Sequence, residues 1–258
     1  MDPWRTAIVQ ADHESIRLHG HDVLELMPHR TFTDTIFLLH RGRLPSRDER
    51  ALLDAILTGL ADHGPGAPSC AAARLVASGN RQSLSAAVAA GVLAIGDEHG
   101  GAGSLCMEMI ARGVSRARAE SISVLEAERQ TVSAYRADGR RLPGLGHRVH
   151  HTVDPRTAVL FGMARAAGLA AEGVEFMEAV DMSMKEAGKI IPINIDGALA
   201  AILVDLGFPP AFGKLVFIIG RVAGISAEVA EEYDREKPMR IRIPVEYDGL
   251  PPVVRPGE

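Results

Sequence analysis

Aromatic residues make up only 4% of this 258-residue chain, which has one tryptophan and two cysteines. With few rings available, the core must be filled mainly by alanine and leucine, which suits closely packed helices. Cys70 and Cys106 form no CxxC or other metal-ligand spacing. They read as reduced, buried thiols of a cytoplasmic protein. No apolar run approaches the ~20 residues that a bilayer span needs; the longest, residues 215–219, is a core-helix fragment. The N-terminus mixes charges into its first residues, without the apolar segment of a signal peptide. An excess of positive charge is also lacking. The formal net charge is -5, which argues against nucleic acid as a partner. An anionic substrate would have to meet cations gathered locally.

Alternating strand patterns are nearly absent. Only Ile8-Val9 and Ile241-Arg242-Ile243 qualify as short strands. What is present is helical periodicity, from about residue 31 onward. Ser46 and Glu49 form a capping box ahead of Leu52, Leu53, Ile56, Leu57 and Leu60, which share one face. Ser69 can start a helix that Gly79-Asn80 ends, and residues 83–95 form an alanine-rich helix. Residues 104–112 and 115–136 give two more, stopped by Gly113 and Gly139. Asp154-Pro155 is an N-cap followed by proline at the first helical position, with Gly168 at the far end. Residues 172–187, 195–206, 211–223 and 226–236 complete the set, with Gly207 and Gly224 as C-caps. The fold class is therefore all-α. No linker divides the chain, so a second domain would arise by insertion. Residues 244–258 read as an extended arm that packs on another surface, such as a partner subunit.

Four segments put ionisable groups beside glycine at helix edges: Ala61-Asp62-His63-Gly64-Pro65, Gly96-Asp97-Glu98-His99-Gly100-Gly101, Pro143-Gly144-Leu145-Gly146-His147-Arg148-Val149 and Pro192-Ile193-Asn194-Ile195-Asp196-Gly197. Glycine lets backbone and ligand approach closely, and helix N-termini favour anions. Taken singly, His63 or His99 reads as a satisfied loop histidine and Asp196 as an N-cap. There is no HExxH helix, P-loop or GxSxG elbow. The histidines lack a close ligand pair, so no metal site is expected.

In combination these segments resemble the citrate synthase superfamily over essentially the whole chain. Gly20-His21-Asp22-Val23 resembles its Gly-Tyr-Asp-Ile, and Leu38-Leu39-His40-Arg41-Gly42-Arg43-Leu44-Pro45 its Leu-Leu-x-x-Gly-x-Leu-Pro. His99-Gly100-Gly101-Ala102 matches HGGA, and Gly144 to Val149 with Asp154-Pro155-Arg156 matches GxGHRV…DPR. Asn194-Ile195-Asp196 and Gly220-Arg221 with Gly224 match the later elements. Within the superfamily, residues 61–65, 95–97 and 194–197 resemble the citryl-CoA-cleaving module of ATP-citrate lyase. Synthases usually carry Asp-His-Glu at the first of these. His99, by contrast, is synthase-like, since that lyase module can lack it.

The resemblance implies a citrate synthase-like fold, with a large helical domain (1–103 and 206–258) and a smaller inserted helical domain (104–205). It implies a homodimer and a reversible Claisen-type reaction with Asp196, His147 and His99 at the chemistry. His63, Arg156 and Arg221 would hold oxaloacetate or citrate carboxylates, joined by Arg240 donated from the other subunit. Leu145, Gly146 and Lys189 would contact coenzyme A. For Arg240 and Lys189, a solvated surface charge is an equal reading. The expected activity is citryl-CoA lyase, giving acetyl-CoA and oxaloacetate. A thioester-hydrolysing synthase and a non-catalytic CoA- or citrate-binding paralogue are the alternatives. No tightly bound cofactor is expected; the CoA thioester is substrate. The chain carries no ATP-grasp or CoA-ligase segment, so a separate citrate–CoA ligase would supply citryl-CoA.

Overall fold

The computed structural model describes residues 3–147 and 151–251. Its first element is a small antiparallel sheet of β1 (Val9–Ala11), β2 (Ile16–Leu18) and β3 (His21–Asp22), with Gln10 opposite Arg17 and Leu18 opposite His21. Asp22 then caps α1 (Val23–His29) by accepting from Leu24 N–H. Helix therefore begins before the expected residue 31. Residues 241–243, expected as a strand, lie outside any strand.

The remaining helices are α2 (Phe32–Arg41), α3 (Arg47–Leu60), α4 (Pro68–Gly79), α5 (Leu84–Leu93), α6 (Ala102–Glu120), α7 (Val124–Ala137), α8 (Pro155–Ala166), α9 (Glu172–Glu186), α10 (Ile195–Asp205) and α11 (Phe212–Arg235). The Ser46–Glu49 capping box is formed, and Leu52, Leu53, Ile56 and Leu60 are buried behind it. One group of helices, α6, α7, α9 and α10, packs together; a second gathers α3, α4 and α5 along α11. At 24 residues, α11 spans about 36 Å at 1.5 Å per residue, which lets it contact both groups. Helix α9 has no cap of its own; the Asp205 carboxylate at the end of α10 accepts from the N–H groups of Ala171, Gly173 and Val174. No helix among the described residues is long and apolar enough to cross a membrane.

Three expected boundaries move. Gly113 does not end a helix but lies buried inside α6, where a Cβ would meet Phe176 Cε2 at 2.1 Å. The break comes instead at Ser121, in the left-handed region, and Ser123 caps α7. Gly224 does not cap either. It lies within α11, and its N–H donates to the Ala61 carbonyl at 3.1 Å. Ser69 is not the cap of α4, because Pro68 already occupies the first turn and Ala67 the N-cap position. In each case the small residue serves a close contact between elements.

Gly113→Ala separates the two readings of that position. In an open helix interior, alanine would stabilise by about 1 kcal/mol. Against the fully buried Phe176 it should instead cost about 1–3 kcal/mol, read as a lower midpoint in urea unfolding.

Candidate active site

The N-termini of α4, α8 and α10 meet at a cavity of about 440 Å³, and their first turns and the residues leading into them supply Gly66, Ala67, Pro68, Arg156, Asn194, Ile195 and Asp196 to its wall. Three helix N-termini facing one space favour an anionic occupant before any side chain is counted. His63, His99, Gly146, His147 and Arg221 line the same cavity. Seven of the ten residues singled out from sequence are thus brought together. Leu145 lies behind them, in an isolated bridge to Ile193. Lys189 is exposed and does not line the cavity. Arg240 is also outside it in this chain, paired with Glu232 and with Glu236 at 3.1 Å. Arg148 and Val149 of the GHRV element fall outside the described residues.

Asp196 is not the N-cap of α10. Asn194 takes that role, accepting from Gly197 N–H at 3.0 Å and donating from Nδ2 to the Gly146 carbonyl at 2.7 Å. The 144–146 loop is thereby stitched to α10: Asn194 N–H donates to Gly144 O, and Gly146 N–H donates to Pro192 O. The approach is possible only because both facing residues are glycine. A Cβ on Gly144 would lie 2.7 Å from Gly197 Cα, and one on Gly197 would lie 2.4 Å from Gly144 O. Asp196 is left enclosed, and its Oδ1 is buried with no hydrogen-bond partner among the described residues. Burial pushes the Asp196 carboxyl up to about 6, against the downward pull of Arg156 and Arg221 and with a smaller push from Asp154.

Arg156 projects from the second position of α8. Fully buried Asp154 grips it from below, accepting from Nε at 3.0 Å and from an Nη at 2.8 Å. Burial alone would raise the Asp154 carboxyl, but the Arg156 hydrogen bonds and charge reverse this and hold it below its ordinary value. A second Arg156 contact reaches His147 Nε2 at 3.5 Å, and the His147 and His63 rings meet edge to face at 5.4 Å. Arg221 is 3% exposed. Its Nε donates to the Leu60 carbonyl at 2.8 Å, and burial pushes its guanidinium down.

His99 is oriented by Ser69. The Ser69 N–H donates to His99 Nε2 at 3.3 Å, and Ser69 Oγ lies 2.9 Å from the same nitrogen while Arg221 donates to that oxygen at 3.4 Å. With a backbone donor aimed at Nε2, the neutral ring carries its proton on Nδ1. Phe217 packs edge-on against His99 at 5.6 Å and lies under Arg221 at 4.8 Å. Sequence reasoning missed Ser69, Asn194 and Phe217 as site residues and saw Asp154 only as a cap. Phe217 carried a usable signal, since it precedes Arg221 by four residues and so shares its helix face.

Among the described residues, one group has donor atoms close enough to hold a metal ion: Asp62, Cys70 and Glu228, within 4.8 Å of one another. Arg74 already pairs with Glu228, and burial pushes the Cys70 thiol up, away from the thiolate a metal needs.

The enclosed Asp196 has a stability consequence. Its folded-state pKa lies above the unfolded one, so its contribution is intact below about pH 4 and lost as pH rises through about 6. Asp196→Asn should therefore be more stable than the parent at pH 8, by about 2–3 kcal/mol, and the two should coincide near pH 3.5. Thermal or urea unfolding at both pH values checks this.

The citrate synthase C-terminal domain profile matches residues 46–242. The citryl-CoA lyase of Hydrogenobacter thermophilus is 39% identical, with a TM-score of 0.89 over 98% of this chain and 97% of that one. A Methanosaeta concilii ATP citrate lyase mutant, solved in complex with (3S)-citryl-CoA, shares the fold at 19% identity and a TM-score of 0.77. This chain covers 42% of it. Citrate synthase of Haloferax volcanii is 28% identical over 205 residues, 78% of this chain and 51% of that protein, so the chain spans about half the length of that relative. With a profile match across most of its length and an all-α fold shared with these structures, the chain belongs to the citrate synthase family of enzymes.

Proposed function

We propose that this protein is a citryl-CoA lyase, cleaving citryl-CoA to acetyl-CoA and oxaloacetate. One observation carries the reading: the chain is 39% identical to a citryl-CoA lyase, with a TM-score of 0.89, and 28% identical to the Haloferax volcanii citrate synthase. The site chemistry supports it. His147 takes the proton of the citryl hydroxyl. The carbon–carbon bond then breaks, its electron pair passing to the thioester as an enolate while the alkoxide closes to the ketone of oxaloacetate. His99, with its proton on Nδ1, donates to the enolate oxygen as charge develops there. Asp196 returns a proton to the enolate carbon. In condensation the same steps run backwards. Each direction begins with a single proton on the Asp196–His147 pair, so cleavage and condensation share one bell-shaped pH profile.

Arg156, Arg221 and His63 are assigned to the oxaloacetate-side carboxylates, for which the arginine fork is suited. Leu145, Gly146 and Lys189 are assigned to coenzyme A. Arg240 joins the site from a second subunit, on release from Glu232. A homodimer is supported by the apolar surface left open on α5 (Leu84, Leu93) and on the arm after α11 (Ile243, Val245, Tyr247). We further propose that 1–103 with 206–258 and 104–205 form two domains that close on substrate; the two helix groups around α11 and α10 support that division. The protein would work in the cytoplasm, beside a separate citrate–CoA ligase. The thioester-hydrolysing synthase is the second reading, favoured by the matches to citrate synthases and by the presence of His99.

Synthetic citryl-CoA distinguishes them. The lyase releases oxaloacetate without free CoA; the synthase type releases free CoA with citrate; a binding-only paralogue releases neither. His147→Ala should lower cleavage by about 10²–10⁴-fold, and Asp196→Asn should abolish it while CoA binding persists. Loss under threefold for His147→Ala would remove that residue from the chemistry.

A further inference from the structure

Helix α6 packs against α10, and behind the first turn of α10 it presents Cys106. The thiol is fully buried. Its sulfur and the Gly197 backbone flank one point: a Cβ on Gly144 would lie 2.6 Å from Cys106 Sγ and 2.7 Å from Gly197 Cα. Burial pushes the Cys106 thiol up, and the charge of neighbouring Asp196 pushes it further. Yet the thiol gives the carboxyl nothing. Its S–H donates to Met177 Sδ at 3.7 Å, and Asp196 Oδ1 is buried with no hydrogen-bond partner among the described residues. The charged groups acting on Asp196 are Arg156 from α8, Arg221 from α11 and Asp154 at the start of α8. His63, His99, His147 and Glu98 line the same cavity. Helix α9, packed on both α6 and α10, contributes Met177 at this point.

We propose that Cys106 is a positioning residue for the reaction: it fills the space behind the Asp196 carboxyl without giving that carboxyl a hydrogen bond. Its role rests on the reading of Asp196 as the group that returns a proton to the enolate. A thiol is a weak donor, and here its single hydrogen is turned to Met177. A hydroxyl of nearly the same shape would donate to Oδ1. A hydrogen bond to the ionised form draws a carboxyl pKa down, and does so more strongly where water is excluded. Asp196 would then give up its proton well below neutral pH, and less of the enzyme would hold a proton ready for carbon. Cysteine at 106 thus keeps the pocket behind Asp196 full and leaves its inner oxygen unserved.

Infrared titration of the Asp196 carboxyl band tests this in the folded chain without substrate, each protein being referenced to its Asp196→Asn counterpart. Cys106→Ser should lower the midpoint by about one pH unit or more. Cys106→Ala removes the sulfur and offers no donor, so it should leave the midpoint within about half a unit of wild type. Met177→Leu keeps the thiol but removes the acceptor that holds its hydrogen. It should lower the midpoint by less than Cys106→Ser does, and it carries the test if that variant does not fold. In Cys106→Ser the acid limb of kcat/KM for synthetic citryl-CoA should move down with the band. An unmoved band in folded Cys106→Ser (or, failing that variant, in Met177→Leu) overturns the role of Cys106. So does an equal fall in Cys106→Ser and Cys106→Ala. A band that moves while the pH profile stays in place supports the role of Cys106 behind the carboxyl and overturns instead the part given to Asp196 in the lyase mechanism.

Discussion

The site depends on how tightly the 144–147 loop is held against the first turn of α10. An aspartate in the first turn of a helix is ordinarily favoured as the anion by the helix dipole, by about 0.3–1 kcal/mol when exposed. Arg156 and Arg221 act in the same direction. Enclosure outweighs these together and leaves the Asp196 carboxyl near 6. The enclosure exists because Gly144 and Gly197 face each other without Cβ atoms and Asn194 binds the Gly146 carbonyl. Beneath them lies the fully buried Cys106, which makes no oxygen hydrogen bond among the described residues. A carboxyl so placed can carry or accept a proton near neutral pH, as a reversible carbon-acid step requires.

The rest of the machinery is registered on α11. Along one face it carries Phe217 against His99, Arg221 bound to the Leu60 carbonyl, and Gly224 bound to the Ala61 carbonyl. The His63 loop is thus fixed to the same helix that supplies the buried arginine. Asp62 completes it by accepting from the N–H groups of His63 and Gly64. Ser69 extends the chain of contacts from Arg221 to His99. Arg221 and His99, which the proposed mechanism assigns to carboxylate binding and enolate stabilisation, are therefore linked through one helix.

Much of this was legible in the sequence, for identifiable reasons. Capping chemistry is local, so Ser46 with Glu49 and Asp154 with Pro155 mark true helix starts. His63, His99, His147, Arg156, Asp196 and Arg221 meet in one cavity because each sits beside glycine or at a helix edge, where the motif resemblance placed it. The errors share a cause. Glycine at 113 and 224 and serine at 69 satisfy either a helix end or a close packing contact, and one sequence does not distinguish them. Only the positions of Phe176, Ala61 and His99 in space decide. Asp154 was read for its backbone role because its grip on Arg156 depends on the fully buried setting that the fold supplies. Arg240 is paired within its own chain here, and a role at a neighbouring site belongs to an assembly that one chain does not contain.

The chemistry proposed for the site requires the Asp196 carboxyl to hold its proton well above the ordinary aspartate range. Infrared difference spectroscopy of wild type against Asp196→Asn measures this directly. A protonated-carboxyl band, absent from the variant, should disappear with a midpoint near pH 6. A band that vanishes near the ordinary aspartate value of about 3.9, or no difference band between pH 4 and 6, would contradict it.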